Sequence, residues 1–215
     1  YLEDMPILSL RREPLEDLGN QIRRRLFDVL VSSLVCIFIL SWLIPLVGLI
    51  IMLESRGPVF FVQARSGKNN RSFNCLKFRS MVADNPQADV QATRNDARVT
   101  RVGRFLRRTS LDEFPQFINV LKGDMSIVGP RPHMLKHTSD YSKLLDQFMI
   151  RQLVKPGITG WAQVTGSRGA TRNLVQMARR IAHDLWYLEN WSLWLDVRIV
   201  FMTIFNLFRR EQNAY

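Results

Sequence analysis

Cysteine is nearly absent from this chain: Cys36 and Cys75 are the only two among 215 residues. One lies inside a long apolar run and the other near a polar turn, so no disulfide framework is expected, and a reducing, cytosolic setting fits. Histidine is scarce too. His133, His137 and His183 lack the helical ligand spacing of a zinc site. No internal repeat or low-complexity tract occurs. Acidic residues are outnumbered, with 19 Asp and Glu against 30 Lys and Arg, which leaves a net charge of +11. Such a balance attracts anions: nucleic acid, anionic lipid headgroups or phosphorylated substrates. Hydrophobic residues at 47% and charged residues at 23% exclude global disorder, and the length suits one good-sized domain. The first residues lack a signal-peptide pattern, and a start at Tyr1 reads as a piece of a longer protein.

Charge is missing altogether from Val29 to Leu53, a run of 25 residues. A bilayer-spanning helix needs about 20. Arg23, Arg24 and Arg25 precede the run, while Arg56, Arg65, Lys68 and Arg71 follow it. Basic flanks mark the cytoplasmic side, so basic flanks at both ends favour a segment that enters the membrane and returns. Pro45 falls past the middle, where it removes a helix hydrogen bond and favours a kink.

Beyond Gly57-Pro58, the apolar Val59 to Val62, a turn over Ser66 to Asn70 and the stretch Ser72 to Arg79 read as a β-hairpin. Met81 to Arg98 reads as a polar surface loop. A helix is expected from Leu111 to Leu121, ended by Gly123. Gly129 to Pro132 and Lys155 to Gly169 read as shaped loops. Thr171 to Asn190 places Leu174, Met177, Ile181 and Leu185 on one helix face. Trp191 to Arg210 is a second, strongly apolar helix whose only interior charges are Asp196 and Arg198. Trp186, Trp191 and Trp194 cluster where these helices meet, which suits a helix lying in the membrane interface; burial in a soluble core is the alternative.

Chemistry could reside at Arg107-Arg108-Thr109-Ser110-Leu111-Asp112-Glu113. Ser110 and Glu113 have capping-box spacing, a purely structural role. The same helix start would offer free N–H groups to a phosphate, with one carboxylate binding Mg²⁺ and the other attacking phosphorus. Strand alternation puts Lys77 and Arg79 on one face, where two cations could bind a diphosphate or simply face solvent. Pro130-Arg131-Pro132 presents an arginine from a stiff segment, either as a phosphate or nucleobase fork or as a mere chain reversal.

Seven segments together resemble the bacterial sugar transferase family, the monotopic phosphoglycosyl transferases. They are RRLFD (24–28), GPVFF (57–61), KFRSM (77–81), TSLDE (109–113), PQFINVLKG (115–123), DMSIVGPRP (124–132) and KPGITGWAQVTG (155–166), and the likeness runs from about Gln21 to Tyr215. It is strongest to larger members that initiate exopolysaccharide, capsule or O-antigen units on undecaprenyl phosphate. The resemblance implies an α+β, mainly helical fold: a re-entrant membrane helix hairpin, interfacial amphipathic helices and a small β-hairpin. It divides the chain into a linker (1–20), the re-entrant helix (21–56) and a cytoplasmic catalytic domain (57–215). The family breaks its re-entrant helix at a Ser-Pro pair; here Ser41 is followed by Trp42 and the proline comes at Pro45.

The resemblance also implies roles. Asp112 matches the nucleophile and Glu113 its Mg²⁺-binding partner. Arg108 matches an active-site arginine, Lys77 the lysine of the KF(R/K) motif, Arg131 the PRP arginine associated with the nucleotide-sugar phosphate, and Asp184 an acidic residue of the late helix. With Arg79 from the strand face they make up the expected substrate-binding set. The implied reaction moves a hexose 1-phosphate from a UDP-sugar, glucose first and galactose second, to undecaprenyl phosphate on the cytoplasmic face of the bacterial inner membrane, with Mg²⁺ as cofactor. Its partners are the UDP-sugar, the polyprenyl phosphate and membrane lipid, and a homodimer is admitted. Nucleic acid is not expected, since no recognisable binding motif accompanies the basic charge. A non-catalytic membrane scaffold is the other rival, against which the intact Asp-Glu pair stands.

Overall fold

The computed structural model describes residues 13–83, 96–135, 146–167, 169 and 174–208. Parts of the expected 1–20 linker and of the 81–98 loop, together with Thr171 and Arg210, lie outside them.

The apolar run is helical throughout. Helix α1, Leu18–Val35, starts where Asp17 accepts a hydrogen bond from the Asn20 N–H at 2.8 Å, so it begins three residues before the expected boundary. A wider π-type turn, Cys36–Leu40, joins it to α2, Ser41–Glu54. The irregularity thus lies upstream of Pro45, and helix continues through the proline. Side chains meet carbonyls around this turn: Ser41 Oγ donates to Ile37 O at 2.6 Å and Trp42 Nε1 to Phe38 O at 2.8 Å. Within an uncharged run these polar groups find their partners on the helix itself.

The polarity of α1 is inverted. Its buried residues are Arg24, Asp28 and Ser32, while Leu18, Ile22, Leu26, Leu30 and Leu34 face outward. Only 28% of the most apolar window of this long helix is buried, which is unlike the core helix of a soluble domain. By length and composition it could cross a membrane.

Strands β1, Phe60–Ser66, and β2, Ser72–Phe78, form the expected antiparallel hairpin, with Phe61 opposite Lys77. Asn69 and Asn70 take positive φ in its turn, a conformation asparagine tolerates. Next come α3, Arg101–Thr109, a 3₁₀ turn, Leu111–Glu113, and α4, Gln116–Lys122. Gly123 ends α4 at φ 93°, where its N–H reaches Asn119 O at 3.1 Å. Strand β3, Ser126–Val128, then pairs in parallel with β4, Gly157–Thr159. A Cβ on Gly157 would stand 2.1 Å from the Gly129 nitrogen, so only glycine allows this pairing. A 3₁₀ segment, Asp146–Leu153, precedes β4, and α5, Trp161–Val164, follows it. Helices α6, Leu174–Glu189, and α7, Leu193–Phe208, complete the fold.

Among the described residues three apolar clusters form, and the two larger ones position the site. In one, Leu40, Leu43, Val47 and Ile51 meet Phe78 and Leu106. In the other, Val120, Met125, Ile127 and Val128 meet Tyr187, Leu188 and Ile199. Burying each such side chain contributes roughly 1.5–3 kcal/mol. Trp191 is buried, Trp194 is exposed, and Trp186 stacks on Trp161 at 4.8 Å.

Candidate active site

Arginine and aspartate from α1 secure the strand that leads into the site. Asp28 Oδ1 accepts from Ser126 Oγ at 3.0 Å and from the Ile127 N–H at 2.9 Å. Arg24 Nε donates to Ser126 Oγ at 3.1 Å, and its Nη2 to Val128 O. From Val128 the chain runs straight into Gly129-Pro130-Arg131-Pro132. On the other side, Asn119 fastens α4 to β2. It accepts from the Leu76 N–H at 2.9 Å and donates to Asn74 O at 2.8 Å. Lys77 and the 3₁₀ turn carrying Asp112 and Glu113 are thereby held in fixed relation.

These elements converge on Glu113. Lys77 Nζ lies 2.7 Å from Glu113 Oε1. Arg131 grips both oxygens, with Nη2 at 2.6 Å from Oε1 and Nη1 at 3.2 Å from Oε2. A further bond runs from Arg131 Nη1 to Gln163 Oε1 at 3.2 Å. Burial works against ionisation of Glu113, but the charges of Arg131 and Lys77 outweigh it and hold its carboxyl well below the usual range. Those same contacts raise the pKa of Arg131, chiefly through Glu113.

Asp112 experiences the opposite. It is 9% exposed, and no hydrogen bond from a described residue reaches its carboxylate. Burial pushes its carboxyl up to about 6, with Lys77 opposing and the negative charge of Glu113 adding to the rise. Two adjacent carboxylates therefore differ sharply: one is clamped and ionised, the other is unclamped and poised near neutrality. Environments that drive neighbouring acids apart assign them different tasks.

The expected capping box does not form. Ser110 sits at φ 58° and closes α3, while an N-cap residue needs extended backbone, and its side chain makes no cap bond. Asp112 and Glu113 stand in the 3₁₀ turn, and α4 begins only at Gln116, after Pro115. Phosphate attraction by a helix start at Leu111 is removed with it.

Among the other expected residues, Arg79 does not join the cluster. Strand β2 ends at Phe78, so alternation no longer governs the next residue. Its buried guanidinium donates to Ser55 O at 2.6 Å and Arg56 O at 2.9 Å, where α2 ends. Arg108 is exposed on α3, and it is Arg107 whose charge acts on Asp112. Asp184 lies on α6, buried against Arg151, one residue removed from Arg131. Sequence reasoning missed Asn119, Gln163 and Arg151. A polar Asn119 amid Phe117-Ile118 and Val120-Leu121 was a readable signal; the other two pair only through the fold.

Oxygen donors alone suit Mg²⁺. Among the described residues no trio of His, Cys, Asp or Glu forms a metal cage. Glu113 fits an ion that takes one or two carboxylates and completes its shell with phosphate oxygens and water. A cleft beside the Arg131 loop, walled by Ser66, Gly67, His133, Phe148, Arg151 and Gln152, opens next to the cluster.

A sequence model of the family described as Bacterial sugar transferase matches residues 19–210. A protein of Escherichia coli K12 named UDP-glucose:undecaprenyl-phosphate glucose-1-phosphate transferase is 48% identical over 211 residues, which cover 96% of this chain and 45% of that protein. A protein of the same name from Caulobacter vibrioides is 45% identical over 97% of this chain and 78% of its own length. An Aeromonas hydrophila protein named UDP-N-acetylgalactosamine-undecaprenyl-phosphate N-acetylgalactosaminephosphotransferase is 45% identical over 84% of this chain and 42% of its own. The chain spans a little under half the length of the first of these relatives.

Proposed function

Because the chain belongs to the bacterial sugar transferase family, we propose that it moves glucose 1-phosphate from UDP-glucose to undecaprenyl phosphate and releases UMP. The observation that carries this reading is the split character of the acidic pair: an unclamped Asp112 beside a Glu113 held by Lys77 and Arg131.

The reaction divides into two displacements. A carboxylate oxygen of Asp112 attacks the β-phosphorus of UDP-glucose. The bond from that phosphorus to the bridging oxygen breaks, and UMP leaves with the electron pair. An oxygen of undecaprenyl phosphate then attacks the same phosphorus, and the Asp112 carboxylate is released. Lys77, Arg131 and Arg107 supply positive charge where phosphate charge develops. Glu113 would hold Mg²⁺, which would neutralise phosphate charge. Two half-reactions suit substrates that arrive from different phases, water and membrane.

The setting is the cytoplasmic face of a bacterial inner membrane. The run Val29 to Leu53 enters and returns, and exposed Trp194, Phe201 and Ile204 of α7 rest at the interface. The product opens a repeat unit of exopolysaccharide, capsule or O-antigen. Charge alone would also suit nucleic acid, but the clamped acidic pair has no role there.

The test is release of UMP in a detergent-solubilised preparation given undecaprenyl phosphate and a panel of UDP-sugars. UDP-glucose is expected to turn over fastest, with UDP-galactose second. Turnover confined to N-acetylated amino sugars would overturn the sugar assignment. No UMP from any donor would overturn the reaction itself.

A further inference from the structure

Behind the Arg131 loop lies a second arginine that no sequence motif singles out. Arg151, on the 3₁₀ segment Asp146–Leu153, is 4% exposed. A guanidinium so deeply buried is tolerable only when its donors are met. Here Nη2 donates to the backbone carbonyl of Arg131 at 2.9 Å and lies 2.9 Å from Asp184 Oδ2. Nη1 stands 2.9 Å from His133 Nε2. Arginine can only donate, so in this contact Nε2 is the acceptor. The guanidinium carbon also lies 5.5 Å from the Phe148 ring centre, within cation–π range.

Arg131 is therefore gripped at both ends. Arg151 holds its carbonyl, while Glu113 and Gln163 take its guanidinium. Pro130 and Pro132 on either side leave the chain between these grips little freedom. Asp184 neutralises Arg151 from α6 and touches neither Asp112 nor Glu113 in any bond described.

We propose that Arg151 and Asp184 are positioning residues that set Arg131 against Glu113, so that Asp184 acts on the reaction through Arg151 and not by binding the nucleotide sugar. This rests on the transferase reading above. The expected signature is coupling to Arg131, since residues acting through one partner have non-additive effects.

The experiment measures UMP release by wild type, Arg131→Lys, Arg151→Lys and the double variant in detergent, with melting temperatures alongside. Arg151→Lys keeps the charge but cannot hold His133, Asp184 and the Arg131 carbonyl together. It should lower kcat with UDP-glucose by roughly ten- to a hundredfold, the scale of a small misplacement of a reacting group, and leave KM for undecaprenyl phosphate unchanged. In the Arg131→Lys background the same change should add little. Asp184→Asn, nearly the same shape, should repeat the pattern more mildly and serves if Arg151→Lys does not fold. Losses that multiply, or two variants that lose activity only as they lose folding, would overturn the assignment. Coupled losses would support it. A wild type that releases no UMP would overturn the transferase reading and this inference with it, whereas an active wild type with multiplying losses would overturn this inference alone.

Discussion

Arg131 closes both terminal nitrogens on the two oxygens of Glu113, at 2.6 and 3.2 Å, and offers nothing comparable to Asp112 one residue earlier. The pair is adjacent in sequence yet lies in opposite electrostatic surroundings. That contrast is what supports the proposal of Asp112 as the nucleophile.

Asp112→Asn is expected to reduce UMP release by roughly a thousandfold or more, because an amide cannot form the acyl phosphate. With UDP-glucose and no acceptor, intact-mass spectrometry should find a hexose-phosphate adduct on wild type and none on Asp112→Asn. Glu113→Gln should also cripple turnover, with partial recovery in excess Mg²⁺. An adduct that persists on Asp112→Asn would place the nucleophile elsewhere.

The pH response follows from burial of Asp112, which raises its carboxyl to about 6. Adduct formation needs the ionised form, so its rate should climb about tenfold per pH unit below 6 and level off above 7. The stability sign is the reverse. A folded-state pKa above the unfolded value of 3.8 means that ionised Asp112 destabilises the fold, beginning near pH 4 and fully by about pH 7. Asp112→Asn should then stabilise the protein at neutral pH by on the order of 1–3 kcal/mol, with little gain at pH 4. Thermal melts at the two pH values measure this, and equal gains at both would remove burial of the charge as the cause.

Arg79 is expected to matter for folding, not for substrate. Its guanidinium meets carbonyls at the end of α2, favourable both as hydrogen bonds and as positive charge at a helix C-terminus. Arg79→Gln should cost about 2–4 kcal/mol of stability and leave KM for UDP-glucose near wild type in whatever protein folds. A raised KM with unchanged melting would return Arg79 to the phosphate site.

The apolar run should prove re-entrant. Single cysteines placed near Asn20 and near Ser55, in a variant lacking Cys36 and Cys75, are expected to react with an impermeant maleimide from the same side of sealed vesicles. Labelling from opposite sides would make the segment a spanning helix.

The hairpin was legible because two signals agreed: β-formers on either side of a Gly/Asn turn whose asparagines supply positive φ. Glu113 was singled out by the resemblance, and the capping box was only the structural alternative for it. Its capping-box spacing with Ser110 is real in sequence, yet packing of α3 commits Ser110 to a left-handed helix end. Lys77 and Arg79 looked equivalent because alternation was carried one residue past the strand, which stops at Phe78. Asp184 could be found by likeness, but its partner Arg151 lies 33 residues earlier, and no local period links them. The inverted polarity of α1 was hidden for the same reason, since the groups that receive Arg24 and Asp28 lie about a hundred residues downstream.

The long apolar helix is also what an engineer seeking a water-soluble enzyme would cut away first, and the packing says that the cut would fail. Leu43, Val47 and Ile51 form one wall of the pocket that shelters Phe78 and Leu106, and Arg24 and Asp28 hold the strand behind Arg131. Deletion through Arg56 would strip that wall and leave Ser126 and Ile127 without their partners. Solubility has to come from repainting the outward side chains, such as Ile37, Phe38, Trp42, Leu46, Leu49 and Leu53, with polar residues. The inward ones must stay as they are.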